Sequence, residues 1–137
     1  MSIAQSPALF WLTATVLLTA ILWIPYVANR FRELGPPGWA LFPPADPPPR
    51  APWAGRAVQA HVNAVENLVV FAPLAFVAHW AVGASAAVAS ACGVYFFARL
   101  AHALVTIAGL PIPIRTAAFL TGFGCQIALG GLILFGG

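Results

Sequence analysis

Four long apolar stretches dominate this sequence, and each is long enough to cross a membrane as an α-helix. The hydrocarbon core of a bilayer is about 30 Å thick, which ~20 helical residues span. A helix is the expected form of such a stretch, because in lipid it satisfies its own backbone hydrogen bonds. We therefore predict an all-α integral membrane protein, a four-helix bundle with spans at about residues 8–29, 57–81, 84–108 and 115–136.

The charge content excludes most soluble alternatives. Only 7% of the 137 residues are charged and 61% are hydrophobic, whereas soluble domains carry about 25% charged residues. The basic residues are all arginines scattered between the apolar stretches, unlike the clustered charge of a nucleic-acid surface. The two cysteines lie in apolar stretches, and no Cys/His spacing is typical of zinc. We predict a single membrane domain over residues 1–137, with neither a metal site nor a nucleic-acid partner.

Proline marks the links between the spans. Residues 30–56 form the only long polar segment, and their proline density predicts an extended, non-helical loop. A short third link, residues 109–114, holds two further prolines. Pro25 and Pro73 fall inside the first and second spans, where we expect them to bend their helices.

The arginines also predict the orientation in the membrane. They concentrate in the first link and directly after the third, whereas both termini and the second link carry no charged side chain. Cytoplasmic loops carry an excess of basic residues. We therefore expect links one and three to be cytoplasmic in a multi-pass protein. The arginines concerned are Arg30, Arg32, Arg50, Arg56 and Arg115.

Two opposite charges within the spans reach the same depth. Glu66 lies ten residues after Arg56, or ~15 Å along a helix, and Arg99 lies nine residues before Ala108, or ~14 Å. Charged groups within a membrane usually pair or face a cavity. The matching depth predicts a Glu66–Arg99 ion pair, which could serve a ligand site or only lock two helices together.

Further polar residues share one face on each of the two middle spans, namely Gln59, Asn63 and Glu66, then Arg99, His102 and Thr106. Arg115 and Thr116 begin the fourth span at a helix N-terminus, which favours an anion. These positions predict a polar, net-positive cavity that opens toward the cytoplasm, with Glu66 as its single acid.

Three segments of the chain resemble a known family. The stretch RAVQAHVNAVENLVVFAP at 56–73 resembles the second-helix signature of the MAPEG family, the membrane-associated proteins in eicosanoid and glutathione metabolism. ARLAH at 98–102 and PIPIRT at 111–116 resemble its third helix and the start of its fourth. The resemblance covers essentially the whole chain and is to bacterial-type members. It implies a homotrimer with glutathione held between neighbouring protomers near the cytoplasmic side.

The resemblance also implies roles for individual residues. Asn63 and Glu66 would hold the glutathione backbone, with Glu66 on its amino group. Arg99 and His102 would line the same site, and Arg30 would approach it from the first span. These five residues, with Gln59, form the expected glutathione-binding set.

The resemblance implies that the catalytic residues lie at the start of the fourth span. Arg115 would stabilise the glutathione thiolate, because adjacent positive charge lowers a thiol pKa, and Thr116 stands where some relatives have serine. Eicosanoid-type members have an arginine in place of Gln59, a tyrosine in place of Thr106 and often another near Phe119. These differences argue against a specialised prostaglandin or leukotriene synthase.

Two functions from different classes follow. The first is a glutathione-dependent transferase or peroxidase acting on lipophilic electrophiles or lipid hydroperoxides that reach the cleft from the bilayer. The second is a non-catalytic trimer that binds a lipid or another anionic amphiphile in the clefts between subunits. A transporter is disfavoured, because the chain lacks the internal repeat common in transporters.

Overall fold

The computed structural model describes residues 6–35 and 47–136 and shows an all-α bundle. The first two helical segments together form one apolar unit, Pro7–Leu34, so four units are long and apolar enough to span a membrane. The predicted four-span, multi-pass membrane architecture is confirmed. The helices are α1 Pro7–Ile21, α2 Ile24–Leu34, α3 Pro52–Val82, α4 Ala86–Ala108 and α5 Ile112–Phe135.

The first span is broken between α1 and α2. A two-residue turn at Leu22 and Trp23 separates the helices just before Pro25. Proline has no N–H for the preceding turn, and its ring clashes with that turn's carbonyl. The structure thus interrupts the first span just before Pro25, near the position where the sequence predicted a bend. In contrast, α3 continues through Pro73 without interruption.

The link between the first two spans is shorter than predicted. The sequence predicted a non-helical segment over residues 30–56, but α2 continues to Leu34 and α3 already begins at Pro52. Gly35 ends α2 with a positive φ of 81°. Proline is tolerated in the first turn of a helix, where its missing N–H would have no partner. Residues 36–46, which carry several of the prolines, lie outside the described residues.

A polar clasp joins the two ends of this link. The Glu33 carboxylate accepts hydrogen bonds from the backbone N–H groups of Arg50 and Ala51, at 3.0–3.1 Å, and from the Asn29 amide at 2.8 Å. It therefore supplies acceptors at the start of α3, where no side chain of the helix's own N-cap residue does so. The clasp fixes α2 beside the start of α3.

Helix α4 lies at the centre of the bundle, in contact with α1, α3 and α5. Its first half is apolar and packs against the core, where the Tyr95 ring stacks on Phe71 with centroids 3.6 Å apart. Cys92 and Cys125 are buried there as free thiols. Its second half instead buries polar side chains, beginning with Arg99. The site described next lies in this polar half.

Candidate functional site

A polar cleft of about 320 Å³ lies between α3, α4 and α5, at the end of the bundle near the α4–α5 link. Its volume is at the small end of the range for ligand sites, about 300–1,000 Å³. Five of its lining residues belong to the predicted binding and catalytic set, Thr106 belongs to the polar face predicted for this span, and the seventh is Phe119. The lining residues are Gln59, Asn63, His102, Thr106, Arg115, Thr116 and Phe119.

Helix α3 provides one wall through Gln59 and Asn63, which are one turn apart. Gln59 is exposed in the cleft, and Asn63 is half-buried. The Asn63 side-chain oxygen accepts a hydrogen bond from the Arg99 guanidinium. Asn63 therefore contacts both the cleft and the buried charge behind it.

Helix α4 provides the second wall through His102 and Thr106, both of which are buried. The Thr106 hydroxyl donates to the backbone carbonyl of His102 at 2.7 Å. Because its hydrogen is committed to its own helix, this hydroxyl presents only acceptor lone pairs to the cleft. The His102 imidazole therefore carries the N–H that this wall could offer a ligand.

Helix α5 provides the third wall through Arg115, Thr116 and Phe119. Arg115 and Thr116 lie near the N-terminus of the helix, where no N-cap side chain accepts a hydrogen bond from the first amides. The helix dipole places partial positive charge at this end. The Arg115 guanidinium adds a full charge, so this wall favours an anion.

Arg99 lies behind the cleft rather than in it. The side chain is only 5% exposed, and its guanidinium carbon lies 5.7 Å from the Phe119 ring centroid and 5.9 Å from that of Tyr95. Its Nε and Nη1 atoms are buried without a hydrogen-bond partner among the described residues. The Arg99 guanidinium thus lies near two aromatic rings and one neutral amide. Asn63 connects it to the cleft.

The predicted Glu66–Arg99 ion pair is wrong for this chain as folded alone. Glu66 is exposed and makes no hydrogen bond or ion pair within the described part of the chain. An α-helix turns 100° per residue, so Glu66 lies only about 20° from the direction of Gln59 but 60° from that of Asn63. The prediction considered only the depth of the two charges along their helices. Around α3, the side chain that faces α4 is that of Asn63.

The predicted acid is therefore missing from the cleft. None of the side chains that line it in the described structure is Asp or Glu. Arg115 is the charged side chain among these lining residues. Arg30 is half-buried on α2 and is not among the lining residues either. The cleft thus combines amide, hydroxyl and cationic groups, a set suited to a polar anionic ligand.

Phe119 is the lining residue that the sequence prediction did not include in the site. It lies one turn after Arg115 and Thr116, and its ring is 6.2 Å from that of His102. The i+3 and i+4 spacing from two predicted site residues was the available signal. Its ring adds an apolar surface to the lining of the cleft.

The family comparison agrees with the resemblance in the sequence. The MAPEG family model matches residues 8–135, nearly the whole chain. A search of curated proteins finds no significant match.

Proposed function

This chain belongs to the MAPEG family, and from that premise we propose that it is a glutathione-dependent transferase or peroxidase acting on lipophilic substrates. The family includes such transferases and peroxidases as well as other members. The observation that carries the proposal is the position of Arg115 in a polar cleft that no carboxylate of the described residues lines, across from Asn63 and His102.

The proposed chemistry begins with the thiol of glutathione. The Arg115 guanidinium and the amides at the start of α5 stabilise the thiolate, which is the nucleophile. In the transferase reaction the thiolate forms an S–C bond, and the leaving group departs with its electron pair. In the peroxidase reaction an S–O bond forms as the O–O bond of the hydroperoxide breaks, and the product alcohol takes up a proton. The resulting sulfenic acid condenses with a second glutathione to give the disulfide and water.

A homotrimer is the second part of the proposal. The exposed side chains of α3 that lie nearest to Glu66 are the valines Val62, Val69 and Val70. A carboxylate facing lipid is costly, so such residues usually face protein or water. We therefore propose that a neighbouring copy covers this face and that Glu66 binds the glutathione amino group there. Trimer assembly is typical of the family.

We further propose that the chain is a bacterial-type member in the inner membrane, with the first and third links in the cytoplasm. The argument is the concentration of arginines in the first link and on the helix ends that flank the two links. The cleft opens at the same end of the bundle. Cytoplasmic glutathione would then enter from water, and a lipophilic substrate would enter from the bilayer.

Calorimetry with reduced glutathione on detergent-purified protein tests the proposal. We expect binding to the native chain and its loss in Arg115→Gln. The matched control is Arg32→Gln, which removes the same charge from an exposed position on α2. Native protein that binds no glutathione at millimolar concentration would contradict the proposal, as would equal binding by both variants.

A non-catalytic trimer that binds a lipid or another anionic amphiphile is the second candidate. Two observations favour it: Gln59 adds no charge to the cleft, and the Thr106 hydroxyl donates to its own helix rather than to a ligand. Native mass spectrometry of the purified protein distinguishes the two candidates. A lipid that co-purifies with native protein but not with Arg115→Gln, without glutathione binding, would support the second function.

A further inference from the structure

Arg56 is a half-buried arginine in the second turn of α3, three residues before Gln59. Its Nε–H group donates to the backbone carbonyl of Ile107 at 2.9 Å. The side chain is not among those that line the cleft. Its guanidinium thus crosses from α3 to the end of α4.

The end of α4 explains why Ile107 needs this donor. The last carbonyls of a helix have no partner within it. The amide of Gly109, in the left-handed region with a φ of 72°, donates to Thr106, and the amide of Leu110 donates to Val105. These two bonds form a Schellman motif. Arg56 satisfies the next carbonyl, with its charge at the negative end of the helix dipole.

Gly109 also packs closely against this guanidinium. A Cβ atom at Gly109 would lie 3.0 Å from both Cζ and Nε of Arg56, closer than side chains ordinarily approach. Gly109 begins the short link to α5, whose first turns carry Arg115 and Thr116. Arg56 therefore connects α3, which forms one wall of the cleft, to the link between α4 and α5, which form the other two walls.

We propose that Arg56 is a positioning residue for the cleft. It holds the α4–α5 link against α3 and so fixes the Arg115 guanidinium relative to Asn63 and His102, without touching the ligand. The inference rests on the proposed function, because the group positioned is the one that stabilises the glutathione thiolate.

The test compares two variants of this contact with a control variant at another glycine that ends a helix with a positive φ. Arg56→Gln removes the guanidinium, and Gly109→Ala crowds it without a change of charge. Gly83→Ala is the control, because Gly83 ends α3 with a φ of 78° but has open space around the position of a Cβ. With ψ −154°, Gly83 lies in a region that is essentially glycine-only, so Gly83→Ala imposes at least as much backbone strain as Gly109→Ala, away from Arg56.

The readout is the ultraviolet absorbance of the thiolate of protein-bound glutathione, at saturating glutathione and fixed pH. We expect Arg56→Gln and Gly109→Ala to lose most of this signal while Gly83→Ala keeps it. A purely structural role would lower the unfolding temperature in all three variants and leave the bound thiolate unchanged. An unchanged thiolate signal in Arg56→Gln, or equal signals in Gly109→Ala and Gly83→Ala, would overturn the proposal.

A second readout needs no glutathione. The Phe119→Cys protein places a thiol in the cleft, and the native Cys92 and Cys125 are buried, with exposed fractions of 0% and 8%. We expect a water-soluble maleimide to label this cysteine at a different rate when Arg56→Gln or Gly109→Ala is added, and at the same rate with Gly83→Ala. Native protein that does not bind glutathione contradicts the proposed function alone, whereas unchanged labelling rates overturn the role of Arg56.

Discussion

Arg99 on α4 donates a hydrogen bond to the side-chain oxygen of Asn63 on α3, and this contact joins the buried charge of the bundle to the wall of the cleft. The guanidinium has a neutral partner and two aromatic faces in place of a carboxylate. A cation held this way keeps its full charge toward the cleft, because no anion within the described chain neutralises it. The Arg99 charge therefore adds to the anion preference of Arg115 even though Arg99 does not line the cleft.

The first prediction concerns the stability of this contact. Asn63→Leu leaves the Arg99 guanidinium without its hydrogen-bond acceptor, and we expect a loss of about 1–3 kcal/mol, the usual cost of stranding a buried polar group. The measurement is unfolding in detergent followed by circular dichroism. The double variant Asn63→Leu with Arg99→Met removes both partners and should recover part of the loss. A double variant that is less stable than Asn63→Leu alone would contradict this account.

Much of the fold could be predicted, because in a membrane the length and polarity of a segment nearly determine its structure. The four spans follow from apolar length alone. The break before Pro25 follows from a missing N–H. The loop boundaries were wrong because proline density was applied to the whole of 30–56, whereas Pro52 can begin a helix and Gly35 ends one.

Five of the predicted site residues line the cleft, but the contacts among the site residues could not be predicted. The seven-residue spacing places Gln59 and Glu66 on nearly one line of α3. The sequence alone did not indicate which polar side chain of α3 would face α4. Packing selected Asn63, 40° round the helix from Gln59. The hydrogen bond from Arg56 to Ile107 could not be predicted from the sequence either, because it joins residues 51 positions apart and its acceptor is a backbone carbonyl.

The second prediction tests the exposed carboxylate of Glu66. If Glu66 binds the amino group of glutathione, Glu66→Gln should weaken binding by about 10- to 100-fold, since hydrogen bonds to charged groups contribute about 1.5–3 kcal/mol. A glutathione analogue that lacks the amino group provides the control in calorimetry. The native protein and Glu66→Gln should bind this analogue with equal affinity. A loss that persists with the analogue would mean that Glu66 acts through assembly or folding instead.

The third prediction concerns the Glu33 clasp between α2 and α3. Glu33→Gln should weaken the hydrogen bonds to the amides of Arg50 and Ala51, because a neutral amide is a poorer acceptor than a carboxylate. We expect faster hydrogen exchange at those two amides and no change in α4. Asn29→Ala removes only the side-chain contact and should have the smaller effect. Equal exchange rates in native protein and Glu33→Gln would show that the clasp contributes little in solution.

The last prediction concerns Gln59, the position where related eicosanoid-type proteins carry arginine. The side chain is exposed in the cleft, so Gln59→Arg can be accommodated without displacing the core. A guanidinium there would pair with a carboxylate of glutathione, and we expect about tenfold tighter binding, or about 1.4 kcal/mol. Gln59→Lys adds the same charge without the bidentate geometry of arginine and should gain less.

Calorimetry at two salt concentrations separates the contribution of charge from that of the bidentate hydrogen bonds, because a general electrostatic attraction weakens with salt in both variants. A lysine variant that binds as tightly as the arginine variant would indicate that charge alone limits affinity. Unchanged binding in both would mean that a glutathione carboxylate does not approach this wall.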